Sequence, residues 1–263
     1  MRTEVSSRIP PRSKAARPGE PIHLLGVRFD LLSREQALEA LEAGFGRKEA
    51  RKVYIVNAHT LNLAWKDPGF RRILNDADLL LNDGSGVGLA ARLQGRRFPA
   101  NLVGTDLIPL VCARAVSRGG GVFLLGGRAG VPEKAAKRLQ ERVPGLEIRG
   151  FRHGYFSKPE TEDVIRQING SQASILLVAF GNPLQETWIH DNAPRLHCDL
   201  CIGVGGLFDH LAGRLRRAPR WMRRAGIEWV HILMNQPHKW RRYLLGNPLF
   251  VIRAIRDRLG GRP

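Results

Sequence analysis

Short apolar runs bounded by Gly, Asn, Asp or Ser alternate along most of the chain with stretches where apolar residues recur every three or four positions. The first pattern is typical of buried strands, and the second is typical of helices packed on one face. The predicted strands are residues 23–29, 53–56, 79–81, 122–125, 146–149, 175–180 and 200–204. The predicted helices are residues 33–44 with Ser33 as cap, 105–117, 132–142, 160–168 and 183–191, and the pattern from Leu207 onward is helical only.

This alternation predicts the fold class. It is α/β, with a mainly parallel, Rossmann-like sheet covered by helices on both faces. We expect the α/β domain to span residues 21–213 and a basic helical appendage to span residues 214–263. Residues 1–20 are basic and Pro-rich without the apolar core of a signal peptide, so we expect a disordered lead-in to a cytoplasmic protein.

Composition adds two limits to this picture. The 263 residues are 43% hydrophobic, enough for a large core, and the longest apolar run, 175–180, is far shorter than the roughly 20 residues that cross a bilayer. Three cysteines suit a reducing compartment. Cys198 and Cys201 form a C-x-x-C, but no second pair or suitably spaced histidines complete a zinc set, so we expect no metal there.

The formal charge of +18 is concentrated at the carboxyl end, where thirteen Lys or Arg from Arg214 onward face only Glu228 and Asp257. Such a block suits nucleic acid, an anionic membrane or a polyanionic substrate. Interleaved Trp, Leu, Phe and Ile residues favour helices that lie in a membrane interface. The alternative is a helical subdomain that packs its apolar face on the body and leaves a solvated basic face.

The stretch Asn82-Asp83-Gly84-Ser85-Gly86 follows a predicted strand and places one carboxylate at its carboxyl end. Glycines let a ligand approach the backbone, and ligands of open α/β sheets bind in the crevice beyond the strand ends. Asp83 is therefore the first candidate for an acid or base. The alternative is that Asp83 merely caps the helix predicted to start near Val87.

Two further loops set polar groups after predicted strands. Pro183 at a first helical position leaves Asn182 and Gln185 to face the crevice with neutral amides suited to a uracil or sugar edge. The segment 57–62 begins with Asn57 and again carries small polar side chains. Each loop alone is explained by ordinary capping, but their convergence with Asp83 on one sheet edge predicts a site for a polar ligand.

A fourth loop, the glycine-rich turn 126–130, offers backbone N–H groups and a helix start to a phosphate. It resembles half of a dinucleotide fingerprint. The spacing and the acidic residue on the next strand are lacking, so a nicotinamide cofactor is only an alternative.

At these loops the chain resembles the WecG/TagA/CpsF family of bacterial glycosyltransferases. The matching motifs run in family order from about residue 22 to residue 250, and they are Asn57, Asp67-Pro68, 75–78, Asp83-Gly84, 104–106, 181–186, 203–209, 217–219, Glu228-Trp229 and 241–243. The resemblance implies an inverting, metal-independent transfer of a sugar from a UDP-sugar to an undecaprenyl-diphosphate-linked saccharide in cell-surface polysaccharide biosynthesis. It implies no cofactor.

Carried over residue by residue, the resemblance makes Asp83 the catalytic base, the group that displacement at an anomeric carbon needs to take the acceptor proton. Without a metal, helix amino termini and cations must offset the diphosphate charge. The implied substrate-binding residues are Asn57, Thr60, Gly84, Asp106, Asn182, Gln185, Asp209, Arg217, Arg241 and Arg242.

Asp76-Ala77-Asp78 spells the D-x-D motif of many metal-dependent glycosyltransferases. We predict that Asp76 ends a helix and that Asp78 begins a strand, so we expect structural roles for both and no metal.

Departures from the family pattern limit the choice of donor. Ile55 stands where the best-studied members have a threonine, with Thr60 or His59 as substitutes, and Asn101 stands where that branch has an arginine. Glucose, N-acetylmannosamine and N-acetylmannosaminuronate donors all stay open, as does the acceptor saccharide.

The family's carboxyl-terminal appendage is held to dock on the membrane and complete the active site, in agreement with the basic tail. We therefore expect a peripheral protein on the inner face of the plasma membrane, with an anionic membrane surface as partner. Self-association into a homo-oligomer stays open. Two alternatives from other classes are a nucleic-acid-binding protein, for which no recognisable motif is present, and an NAD-dependent oxidoreductase. We expect no nucleic acid partner.

Overall fold

The computed structural model describes residues 21–47, 49–215, 218–219, 221–222, 228–236 and 240–261. The predicted lead-in 1–20 and Arg217 lie outside the described residues.

The described residues form strands β1 (Ile22–Leu24), β2 (Val27–Phe29), β3 (Arg51–Val56), β4 (Leu79–Asn82), β5 (Gly121–Gly126), β6 (Glu147–Arg152), β7 (Ile175–Ala179) and β8 (Leu200–Gly203). Six of them form one parallel sheet in the order β4-β3-β8-β7-β5-β6, and a separate antiparallel hairpin joins β1 to β2. The predicted α/β fold with a parallel sheet is therefore confirmed.

Helices follow the strands and cover both faces of the sheet. Ser33 caps the first helix as predicted, because its hydroxyl accepts the Gln36 N–H and the Gln36 side chain accepts the Ser33 N–H. The helices are α1 (Arg34–Glu42), α2 (Ala58–Lys66), α3 (Pro68–Asn75), α4 (Ser85–Leu93), α5 (Gly104–Val116), α6 (Val131–Arg142), α7 (Thr161–Gly170), α8 (Leu184–Asn192), α9 (Leu207–Leu211), α10 (Glu228–Asn235) and α11 (Gly246–Arg258), with a π-helical turn (Arg241–Leu245) leading into α11.

The single strand predicted over residues 23–29 is wrong, because this segment is a hairpin outside the main sheet. Its turn residues, Leu25 and Gly26, both have positive φ, the geometry that lets a two-residue turn match the twist of its strands. Asp30 then attaches the hairpin to the sheet edge. Its N–H donates to Leu80 O at 3.3 Å, and its carboxylate accepts the Leu80 N–H at 3.1 Å.

Side chains of the central strands alternate between two apolar cores, one on each face of the sheet. Ile55 and Leu81 point into one core with α5 and α6, whereas Tyr54 and Leu80 point into the other with α2 and α7. Because both faces are covered, these strands read as continuous apolar runs. Within the described ranges, no helix is long and apolar enough to cross a membrane.

The carboxyl-terminal helix α11 packs against α2 and α4. Phe250 and Ala254 are each 2% exposed, and buried Arg253 donates to Asn62 O at 3.1 Å and to Asn62 Oδ1 at 2.7 Å. Near the end of α11, Asp257 Oδ2 accepts the Leu25 N–H at 2.9 Å. The inner face of α11 thus packs on the body as in the structural alternative, and the domain boundary at residue 213 stays a prediction.

Candidate active site

Parallel pairing brings the carboxyl ends of β3, β4, β5, β7 and β8 to one edge of the sheet. After β3 the chain turns to β4 on one side, and it returns later to β8 on the other side. Such a reversal of strand order opens a crevice beyond the strand ends. Asn57 after β3 therefore lies between the loops that carry Asp83 and Gly205.

Asp83 sits at this crevice, half-buried, directly after β4. Its N–H donates to Val56 O at 2.9 Å, which ties it to the end of the neighbouring strand β3. Gly84 follows with φ of 88°, a conformation that favours glycine, and occupies the N-cap position of α4. Asp83 therefore stands one residue before the cap, between the strand end and the helix start.

Asn57 caps α2, as the capping alternative required. Its Oδ1 accepts the N–H groups of His59 and Thr60 at 3.1 and 3.3 Å, and the Thr60 hydroxyl donates to the same oxygen at 3.3 Å. Thr60 is completely buried. The Thr60 hydroxyl thus has an internal partner, and direct contact of Thr60 with a substrate stays a prediction.

Gln185 does not face the crevice, which corrects the expectation for this amide. It is 1% exposed, its Nε2 donates to Glu186 Oε1 at 2.9 Å, and its Oε1 accepts the Gly205 N–H at 2.9 Å. A Cβ on Gly203 would lie 2.9 Å from the Gln185 amide nitrogen, so any other residue at position 203 would displace this amide. Gln185 therefore joins the loop after β7 to the loop after β8, and direct contact with a substrate stays a prediction.

Glu186 organises the same loop, although sequence analysis assigned it no role. The carboxylate is fully buried, and its Oε1 also accepts a hydrogen bond from half-buried Asn182. Burial raises the pKa of Glu186, while the hydrogen bonds from Gln185 and Asn182 act in the opposite direction. Its second oxygen has no hydrogen-bond partner among the described residues. Glu186 thus holds two of the predicted amides in fixed orientations.

The remaining predicted residues are more dispersed. Asp106 is exposed in the first turn of α5, and Asp209 in α9 lies 3.5 Å from Arg214 Nε. The guanidinium groups of Arg241 and Arg242 stack on Trp240 and Tyr243, at 5.3 and 5.4 Å from the ring centroids. This leaves both cations on the surface of the π-helical turn.

The direction of α11 relates this turn to the crevice. A Cβ on Gly86 would lie 3.8 Å from the Phe250 ring, and Gln94 Nε2 donates to Asp257 Oδ2 at 2.9 Å. The start of α4 thus lies beside Phe250 and its end beside Asp257, so the two helices run in the same direction. The π-helical turn therefore projects beyond the start of α4, on the side of the sheet edge that bears Asp83.

A cavity of about 360 Å³ is lined by Asn82 and Gly84, the two neighbours of Asp83 in the chain. It lies between one face of α4 and the segment 97–101, and its polar lining residues are Asn82, Ser85, Arg92, Arg97 and Asn101. Gly84 N–H donates to Asn101 Oδ1 at 2.8 Å across its wall. Sequence analysis did not single out Asn82, Arg92 or Arg97, because only the return of the chain after α4 brings them together.

The D-x-D motif lies at the opposite edge of the sheet. Asp76 Oδ2 pairs with Lys52 Nζ at 2.5 Å, and Asp78 Oδ2 accepts the Lys52 N–H at 2.8 Å. The hydrogen bond from Lys52 lowers the pKa of Asp76. The four residues of β4 separate Asp78 from Asp83, a distance of about 17 Å along a strand. These contacts agree with structural roles for both aspartates.

Cys198 and Cys201 are buried free thiols 3.2 Å apart. In the part of the chain that the structure describes, no three His, Cys, Asp or Glu side chains are grouped to hold a metal ion.

Comparison with known proteins shows the family of the chain. Residues 22–263 match the glycosyl transferase WecG/TagA/CpsF family. The chain belongs to this family. It is therefore a glycosyltransferase, and the family resemblance predicted from its loops is confirmed. Membership of the WecG/TagA/CpsF family favours a glycosyltransferase over the two alternatives, an NAD-dependent oxidoreductase and a nucleic-acid-binding protein.

Two curated relatives are similar to this chain over most of its length. A protein of Bacillus spizizenii (strain W23) is 30% identical over 201 residues, which are 76% of this chain and 77% of the relative. A protein of Staphylococcus aureus (strain MW2) is 28% identical over 239 residues, which are 89% of this chain and 92% of the relative. Both are named N-acetylglucosaminyldiphosphoundecaprenol N-acetyl-beta-D-mannosaminyltransferase.

The buried carboxyl of Glu186 predicts a pH-dependent stability difference. An acid whose pKa is raised by folding binds more protons in the folded chain, so the free energy of unfolding falls as pH rises above the usual value of 4.5. Glu186→Gln removes this loss, so its stability relative to wild type should rise over that range. The upper limit is about 1.4 kcal/mol per pH unit.

Urea unfolding of wild type and Glu186→Gln at several pH values between 4.5 and 8 measures this difference. Glu39→Gln, at an exposed position of α1, is the control and should follow wild type at every pH. Parallel pH profiles for wild type and Glu186→Gln would contradict the assignment of a buried carboxyl with a raised pKa.

Proposed function

We propose that this protein transfers a hexose from a UDP-sugar to an undecaprenyl-diphosphate-linked saccharide, with inversion and without a metal ion. The observation that carries the proposal is the position of Asp83, at the crevice of a chain that belongs to this glycosyltransferase family. The names of the relatives support N-acetylglucosaminyl-diphosphoundecaprenol as the acceptor class and N-acetylmannosamine as one candidate sugar. Because Ile55 and Asn101 depart from the family pattern, glucose and N-acetylmannosaminuronate stay as candidates.

In the proposed mechanism Asp83 accepts the proton of the acceptor hydroxyl. The freed oxygen attacks the anomeric carbon from the face opposite UDP, a glycosidic bond forms, and the bond to the UDP oxygen breaks with its electron pair leaving on UDP. The starts of α2 and α4 lie at this edge and offer positive dipole ends to the departing diphosphate. We assign Arg241, Arg242 and Arg217 to the same task, and Asn57 and Asn182 to polar groups of the donor.

Replacing the base should abolish transfer and preserve binding. We expect Asp83→Asn to lower the transfer rate by about 10²-fold or more, the range typical of a lost general base, and to bind UDP as wild type does. Release of UDP measures the rate, and titration calorimetry measures binding. Asp191→Asn, an exposed position on α8, is the matched control. A rate for Asp83→Asn within a few fold of the control would refute the assignment.

Metal independence has its own test. Because the carboxylates of Asp76 and Asp78 contact Lys52 at the far edge, EDTA should leave the transfer rate within about twofold of its untreated value. Loss of the rate in EDTA and its recovery with Mn²⁺ or Mg²⁺ would make the enzyme metal-dependent.

We also propose that the outer face of α11 attaches the enzyme to the cytoplasmic face of the plasma membrane. Exposed apolar residues recur there every three or four positions along the helix, and they are Leu245, Leu249, Ile252, Ile255 and Leu259. The arginines 241, 256 and 258 accompany this stripe, and each basic residue near an anionic surface contributes about 1 kcal/mol. An amphipathic face of this kind suits an interface and brings the site to a lipid-linked acceptor. Self-association of the protein stays a prediction.

A charge placed in the apolar stripe should weaken attachment to the membrane. We expect Ile252→Asp to reduce co-sedimentation with phosphatidylglycerol-containing liposomes several-fold, since Ile252 is 62% exposed and buries its side chain only when docked. Tyr155→Asp, at a position 70% exposed on the body, is the control. Equal binding of wild type to anionic and neutral liposomes, or unchanged binding of Ile252→Asp, would contradict docking through α11.

A further inference from the structure

The cavity beside Asp83 is lined by polar side chains to which the proposed mechanism gives no role. Ser85, Gly88 and Arg92 follow one another at spacings of three and four, so they share one face of α4. Arg97 and Asn101 face them from the returning segment. A Cβ on Gly84 or Gly88 would meet no atom within 4 Å, so both glycines border open space.

The two charged side chains that line this cavity, Arg92 and Arg97, are both positive. Arg92 and Arg97 are both exposed and have no salt-bridge partner among the described residues. No acidic residue lines the cavity within the ranges described. The start of α4 adds the positive end of a helix dipole. The cavity therefore suits an anion with several oxygens.

Asn82 supplies a second, independent indication of a ligand. It is 2% exposed and lines the cavity, and its Nδ2 donates to Ala100 O at 2.9 Å. Its Oδ1 is buried and has no hydrogen-bond partner among the described residues. Leaving such an oxygen unsatisfied costs about 1–3 kcal/mol, so a hydroxyl donor from a bound sugar would stabilise it.

We infer that this cavity binds the sugar-linked diphosphate of a substrate. Arg92 and Arg97 bind phosphate oxygens, for which their planar guanidinium groups are suited, and Asn82 Oδ1 accepts a hydrogen bond from the adjoining sugar. The inference rests on the proposed function, in which both the UDP-sugar and the lipid-linked acceptor carry a diphosphate. A volume of about 360 Å³ lies within the range of small-molecule sites. Because Asp83 lies between Asn82 and Gly84, a sugar bound here reaches the proposed base.

Calorimetry and kinetics of the full-length Arg92→Gln/Arg97→Gln variant test the inference. Inorganic pyrophosphate should bind the variant at least about 10-fold more weakly than wild type, since two charge-assisted contacts are lost. Uridine, which carries no phosphate, should bind the variant and wild type with equal affinity. Arg142→Gln is the control, because Arg142 is exposed in the last turn of α6 at the opposite edge of the sheet. If the Gln variant fails to fold, Arg92→Lys/Arg97→Lys keeps the charge and loses the bidentate geometry, and its pyrophosphate affinity should also fall.

The arms of the experiment separate the two sources of the diphosphate. A weaker affinity for UDP with an unchanged KM for the lipid-linked acceptor assigns the cavity to the donor, and the reverse pattern assigns it to the acceptor. Wild-type binding of pyrophosphate, UDP and acceptor by the Gln variant would overturn the inference and leave the proposed function intact. Absence of sugar transfer by wild type, with pyrophosphate binding still dependent on the two arginines, would instead overturn the function and keep the anion site.

Discussion

The register between β3 and β4 is the constraint on which the site depends. Val56 stands opposite Asn82 in this pair, and the next residue, Asp83, donates its N–H to Val56 O at 2.9 Å. Both strands end together, so the helices α2 and α4 begin side by side. A slip of this register by one residue would turn the side chains of β4 to the opposite faces and move Asp83 away from the crevice.

Buried polar contacts then fix the loops around this pair of strand ends. The Gln185 amide donates a hydrogen bond to Glu186 and accepts one from Gly205. Asn57 Oδ1 caps α2. These contacts hold the side chains in place, because a buried donor or acceptor that leaves its partner loses a hydrogen bond that water does not replace. The loops therefore present a preformed crevice, and the proposed base Asp83 lies in it beside the cavity.

The carboxyl-terminal helix α11 has two faces of different character. Its inner face belongs to the core through Phe250, and Arg253 bonds to Asn62. Its outer face keeps an apolar stripe exposed, and the preceding π-helical turn carries two arginines beyond the start of α4. From the sequence, packing on the body and docking on a membrane were alternative interpretations of this segment. The two are compatible, because they use opposite faces of the same helix. Attachment of this helix to a membrane would also fix the orientation of the crevice toward a lipid-linked acceptor.

Local patterns predicted much of the fold and part of the site. Apolar runs located all six strands of the sheet, and Ser33, Asn57 and Asp83 were placed correctly because caps and strand ends are encoded by nearby residues. Local patterns do not predict long-range contacts. The bond from Gln185 to Gly205, the pair of Arg253 with Asn62 and the shared cavity of Arg92 and Arg97 depend on packing between segments far apart in the chain. The turn at Leu25 was missed because a leucine rarely adopts positive φ.

The most direct test of this account is hydrogen–deuterium exchange of the full-length protein with and without UDP. The account predicts slower exchange in the segments that begin α2, α4 and α8, all at the carboxyl edge of the sheet, and unchanged exchange around Asp76 and Asp78 at the opposite edge. Protection confined to residues 76–78, or to the glycine-rich turn 126–130, would contradict the placement of the active site at Asp83.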